Sequence, residues 1–321
     1  MNRRHLLAAA GTLAAAPLHA QPTWPDRPLR IVVPFAPGSA PDILARLLEP
    51  GLRAALGQPV VVENRAGGGG NIGAAAVAQA TDRHAILVSS SGPAALNKYL
   101  FDGLAFDPER DLQPVSLTVN APQLLVVANE VRARDVAGLV AEARGGAPLF
   151  YATTGAGTPS HLTMEDFRAR AGLRMEMVTY RGFAQAILDM VAGRIHAMFA
   201  LAPAVLPAVR DGRIRALAVA SRARFAMLPD LPTMAEAGVP DFEALAWIGF
   251  FAPANLEAPS VARLNAAIRD AARQPAVREA LERQAYTIDV EDGPDAVRAA
   301  LARDVARWVA VIRAHGIRGE A

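Results

Sequence analysis

Short, wholly apolar runs alternate with longer amphipathic stretches twice along the chain, and this alternation restricts the possible folds more than any other feature. The first series is Leu29–Val33, Pro41–Leu56, Val60–Val62, Asn71–Ala80 and Ile86–Val88, which reads as strand, helix, strand, helix, strand. Runs such as Ile31-Val32-Val33 have no polar residue to turn toward water, so they fit strands of a parallel sheet covered on both faces. The second series places strands at Leu124–Ala128, Leu149–Ala152, Met175–Val178, Ala197–Phe199 and Ala216–Ala220. Between them fall helices at Asp135–Ala143, Pro159–Ala171 and Ala184–Val191. After the rigid turn Leu228-Pro229-Asp230-Leu231-Pro232 come an apolar run, Ala244–Ala252, and helical segments at Ser260–Ala272, Ala276–Gln284 and Pro294–Ala314. The expectation is an α/β protein with two doubly wound units.

A chain of 321 residues is long for one core and ample for two, because single cores stop growing at roughly 250–300 residues. The expected division is residues 1–20 as an export signal, 21–123 as the first lobe, 124–243 as the second, and 244–321 completing the first. A ligand cleft then lies between the lobes. The export signal is read from cationic Met1–Arg4, the apolar stretch Leu6–Ala16 and the small-residue site Leu18-His19-Ala20 before Gln21. Arg3-Arg4 is compatible with either general or twin-arginine export. No later segment reaches the ~18 apolar residues of a membrane helix.

Charge argues against nucleic acid as a partner. The chain has 33 basic and 31 acidic residues, and removing Arg3 and Arg4 leaves 31 against 31, with no basic field for a phosphate backbone. Cysteine is absent, which excludes disulfides, thiolate nucleophiles and cysteine-bound zinc. The six histidines form no ligand pattern, so no metal and no cofactor is expected.

Candidate binding residues cluster in loops that follow strands, where α/β sheets place their ligands. The first is Phe35-Ala36-Pro37-Gly38-Ser39-Ala40-Pro41-Asp42. There Gly38 permits close backbone approach, and the helix that follows offers unpaired N–H groups to an anion. The same loop is also readable as a plain turn capped by Ser39 or Asp42. The second is Thr153-Thr154-Gly155-Ala156-Gly157-Thr158-Pro159-Ser160-His161, a dense set of donors expected to face the first loop across the cleft. Tyr180-Arg181 and Ser90 follow two further strands and are weaker candidates of the same kind.

Two enzymatic alternatives also have sequence support. Ser160 or Ser39 with His161 could form a hydrolase pair, but Ser160 and His161 are adjacent on a helix, point in different directions, and lack an acidic orienter. Gly68-Gly69-Gly70-Asn71-Ile72-Gly73 satisfies the dinucleotide-binding pattern, yet it follows the second strand and has Val88 where a ribose-binding acid is required. A close-packed helix start is the better reading.

Taken together, these stretches resemble the tripartite tricarboxylate transporter receptor family, the Bug-type solute-binding proteins. The likeness runs from about Trp24 to Ile317. It is carried by Arg27–Phe35, Gln58–Arg65, Gly69–Gly73, the Tyr151–Leu162 loop, Arg215-Ala216-Leu217-Ala218-Val219, Leu231–Gly238 and Arg263-Leu264-Asn265. The resemblance implies a periplasmic binding protein-like, two-lobed monomer that closes on a small organic carboxylate and catalyses nothing. It implies that backbone amides, hydroxyls and water in the two loops hold the ligand. The partner it implies is a membrane permease, or else a sensing role. The chain departs from the family at Ser39, where a second glycine is usual, at Pro41, and at Asp82-Arg83-His84, which replaces Asp-Gly-Tyr. Ala200 stands where many members carry Asp, which favours a non-amino carboxylate.

Overall fold

The computed structural model describes residues 24–146, 149–155, 157–288 and 293–319. The expected export signal and Ala156 of the second loop lie outside the described residues.

The first unit is built on β1 (Leu29–Val33), α1 (Ala40–Leu56), β2 (Val60–Asn64), α2 (Asn71–Ala78) and β3 (Ala85–Ser89). The three strands are parallel in the order β2-β1-β3. Burial on both faces explains the unbroken apolar run of β1. Ile31 and Val33 pack with Leu44, Leu48 and Leu52 of α1, while Val32 packs on the opposite face with Ala74 and Val77 of α2. Each such side chain contributes about 1.5–3 kcal/mol when fully buried. The apolar stripe of α1 ends where Gly57, at φ 72°, turns its N–H onto Arg53 O at 3.0 Å.

A short helix, α3 (Pro108–Asp111), leads into β4 (Leu112–Ala128), a strand of 17 residues. The second unit contains α4 (Val136–Gly145), β5 (Leu149–Thr153), α5 (Pro159–Ala171), β6 (Met175–Thr179), α6 (Phe183–Val191), β7 (Ala197–Leu201), α7 (Ala202–Arg210) and β8 (Ile214–Val219). The chain returns through β9 (Leu245–Pro253), α8 (Ala258–Arg273), α9 (Pro275–Arg283), β10 (Thr287–Ile288) and α10 (Pro294–His315).

Strand β4 belongs to both sheets. Residues 112–122 pair with β9, and Val119 and Asn120 pair also with β10. Residues 123–128 pair instead with β7 and β8. The exchange of partners falls between Pro122, opposite Leu245, and Gln123, opposite Leu201. The sheets are therefore mixed rather than parallel throughout. β2-β1-β3 and β6-β5-β7 keep the expected parallel arrangement, while β9, β10, β4 and β8 add antiparallel neighbours.

The last helix joins the two units. Val297 lies in the core between β1, β3 and α2, whereas Trp308, Ile312 and Ile317 enter the core of the second unit. The apolar residues of α10 thus reach from the core around β1 and β3 into that of the second unit. At its midpoint Trp247 of β9 donates its indole N–H to Asp304 of α10 at 2.7 Å.

Candidate functional site

The loop between β1 and α1 is organised around a buried carboxylate. Asp42 accepts the Gly38 N–H at 2.9 Å, Arg46 Nε at 3.1 Å and Asn64 Nδ2 at 2.9 Å. Asn64 also donates to Phe35 O at 3.1 Å, so one amide from β2 fixes both ends of the loop. Burial alone raises the Asp42 carboxyl, but bonds from Arg46, the Gly38 amide and Asn64 outweigh it and hold the group below the usual carboxylate range. Asp42 is thus a builder of the loop, and the Gly38 N–H expected to meet a ligand is directed onto it. Gly38 sits at φ 79° with open space where a side chain would begin. Ser39 N–H closes a turn on Ala36 O at 3.2 Å, and the Ser39 hydroxyl is buried without a partner. Pro37 is exposed, and Pro41 leaves Ala40 to supply the first helical N–H.

Hydroxyls knit the second loop. Thr158 and Ser160 oxygens lie 3.0 Å apart, and Ser160 Oγ accepts the Thr154 N–H at 3.1 Å. Thr153 Oγ1 accepts the Gly155 N–H at 3.2 Å, and Thr158 donates to Gly155 O at 2.7 Å. Much of the expected donor set therefore preorganises the loop before any ligand arrives. His161 Nδ1 accepts the Gly157 N–H at 3.1 Å, which assigns the proton of the neutral ring to Nε2. The Gly157 N–H therefore occupies the ring nitrogen Nδ1, which is not open to take a proton from Ser160.

The two loops converge through small residues. A Cβ added to Gly70 would strike Pro93 and lie 3.5 Å from Phe35 Cε1, and one added to Gly92 would lie 3.1 Å from Gly157 O. A Cβ on Gly157 would meet Leu100 and, at 2.7 Å, Asn97 Oδ1. Asn97, wholly buried, donates to Asn71 Oδ1 at 2.6 Å and Gly69 O at 3.3 Å, so it ties the glycine run of the first unit to the β5–α5 loop of the second. Sequence reasoning missed Asn97, which carries no local signal because its partners lie some thirty and sixty positions away. The glycine run itself packs backbone on backbone. A Cβ on Gly73 would stand 2.8 Å from both Pro34 Cα and Arg65 O, as a close-packed helix start requires.

The remaining candidates have other attachments. The Tyr180 phenol donates to Asp189 Oδ2 at 2.8 Å, and burial, then this bond, pushes its pKa up to about 12. Arg181 is exposed. Ser90 is half-buried after β3, next to Ser89, whose hydroxyl is buried and unpartnered. Ala200 is wholly buried in the second core opposite Leu124 on β4. Among the described residues no three His, Asp or Glu side chains converge on a metal-sized gap.

Two mixed sheets sharing a strand, with Gly92 of the first half close against the Gly157 loop of the second, define a two-lobed α/β binding protein. Residues 44–317 match the family described as tripartite tricarboxylate transporter family receptor, and the chain belongs to that family. Protein BugT of Bordetella pertussis is 38% identical, over 98% of this chain and 99% of its own length. A protein of R. palustris solved with adipate superposes with a TM-score of 0.85 at 32% identity, covering 92% of this chain and 99% of that one. MatC of Rhodopseudomonas palustris with bound malate gives a TM-score of 0.82 at 31% identity, covering 90% and 99%.

Proposed function

We propose that this chain is an exported periplasmic receptor that closes two lobes over a small organic carboxylate and delivers it to a permease of the tripartite tricarboxylate type. The observation that carries the reading is the close approach of Phe35 to Gly70 and of Gly92 to Gly157, which links the loops before α1 and α5, in a chain similar to proteins solved with adipate and with malate. Helix N-termini place partial positive charge of about half a unit at each end of such a ligand. The proposed lobes are residues 21–123 with 244–321, and 124–243, a division supported by the change of β4 partners between Pro122 and Gln123. Phe35, Gly38–Ala40, Ser90, Thr154 and Ser160 are the proposed ligand neighbours. Asp42, Thr153, Thr158, His161 and Tyr180 hold those neighbours in place.

Closure stabilises only if the ligand favours the closed form, and a ligand bound to the native state raises stability by about 2.7 kcal/mol at a hundredfold excess over Kd. Thermal-shift measurement of residues 21–321 with malate, adipate, citrate, amino acids, aromatic acids and NAD tests this. The expected result is a rise in Tm with one carboxylate class. A rise with NAD alone, or with none of the carboxylates, removes the proposal. Co-purification with a membrane permease supports transport, and failure of a deletion strain to lose uptake of the ligand points to sensing.

A further inference from the structure

Two segments that carry the family likeness, around Arg215 and Leu231-Pro232, contribute nothing to the cleft and instead line a cavity of about 600 Å3 on the second unit. It lies where Ile214 and Arg215 of β8 pair with Ala128 and Val127 of β4. That is the end of the second sheet opposite Gln123 and Leu201, and so remote from the β5–α5 loop. Leu228, Leu231, Met227 and Val209 supply apolar wall. The proline-bounded turn is pinned to β8 by Val219 N–H on Pro232 O at 2.9 Å, and Asn129 closes one side by donating to Gly212 O at 2.8 Å. The cavity is therefore shaped by fixed backbone.

Its polar feature is a guanidinium with no counter-ion among the described residues. Arg215 donates to Val131 O at 2.7 Å and Ala133 O at 3.0 Å, which satisfies one nitrogen. Its Nε is buried and has no acceptor. The neighbouring charge that acts on it is a second guanidinium, Arg134, exposed at the rim, and burial with this like charge lowers the Arg215 pKa without discharging the group. Of the carboxylates in the wall, Asp135 accepts the Gly138 N–H at 2.7 Å as the cap of α4, and Asp230 is exposed on the turn. Two cations side by side over an apolar floor, one with a buried donor unused, are the converse of a neutral structural pair.

We propose that this cavity is a second ligand site, distinct from the cleft, that takes a small organic anion: a carboxylate held by Arg215 and Arg134 on an apolar body lying against Leu228 and Leu231. The volume is that of a small-molecule pocket, and the guanidinium fork matches a carboxylate.

The test uses octanoate as probe on the full mature chain, followed by NMR of the arginine Nε–H groups assigned by triple-resonance connectivity. The expected result is a saturable displacement of the Arg215 Nε–H signal, absent with chloride at matched ionic strength. Arg134→Gln, at an exposed side chain outside the cleft machinery, weakens the octanoate response about tenfold or more and leaves the response to the cleft ligand unchanged. A signal that moves only linearly with octanoate, moves equally with chloride, or saturates identically in Arg134→Gln overturns the proposal and leaves Arg215 as a clamp on the Val131–Ala133 carbonyls.

Discussion

Asp42 shows how one buried side chain can organise a whole loop, here the one proposed to meet an anion. Its depressed native pKa gives stability that is present above the unfolded value near ~3.9 and lost as pH falls through the native one. Asp42→Asn is expected to cost about 2 kcal/mol at pH 7 in urea denaturation, with the gap to the parent closing below about pH 4. Gly157 offers a sharper contrast, because it and Gly103 share φ 74° while only Gly157 faces Leu100 and Asn97. Gly103→Ala should show backbone strain alone, about 1–2 kcal/mol. Gly157→Ala should add a packing cost of about 1–3 kcal/mol and weaken carboxylate binding in calorimetry. Equal effects at both positions would show that the Asn97–Gly157 approach has no role in holding the loops together. The loops themselves were legible as Gly- and Thr-rich breaks after apolar strands. Which of their residues face a ligand was not, because Asn64, Asn97 and Asp189 decide it from distant positions.

Elements with unbroken patterning were legible, and elements with interrupted patterning were not. β1 and α5 were read to the residue, since a wholly apolar run and a Pro-started stretch ending at Gly172 leave no alternative. The first twelve residues of β4, Leu112–Gln123, were missed. Pro114 and Pro122 break the run, and its register against β9 shifts twice, so no period of two survives. α7 was missed for a related reason, with Pro203 in its first turn and Pro207 within it. α10 was recognised, but not that it bridges the halves, and Asp304 at its middle carries a testable consequence. Burial pushes the Asp304 carboxyl above its usual range, against the Trp247 bond that favours ionisation. A raised native pKa contributes stability below the unfolded value near ~3.9 that is lost as pH rises through the native one. Asp304→Asn keeps an acceptor for Trp247, so it should melt at or above the parent at pH 7 and no differently near pH 4. A lower Tm at pH 7 would mean that Trp247 and Arg307 require the charge.

At the scale of the whole molecule, the two units are separate in their cores and continuous in their backbone. The first core gathers β1, β3, β9, α1 and α8, and the second gathers β5, β7, β8, α5 and the end of α10. β4 crosses between them without a linker. The proposed closure would act where β4 changes partners, at Pro122 and Gln123, and at the matching start of β9. Held by β9 along its first part and by β7 and β8 along its last, the strand resists bending elsewhere.

That shared strand also governs how the protein comes apart. Melting either unit alone would strip the other of a ladder that its own sheet requires, so calorimetry should record one transition with matching calorimetric and van't Hoff enthalpies. Two resolved transitions would count against it. Neither lobe should survive expression by itself, since any cut that separates them leaves half of β4 as an exposed edge inviting aggregation. With one strand serving both sheets, neither half can be dismantled and leave the other intact.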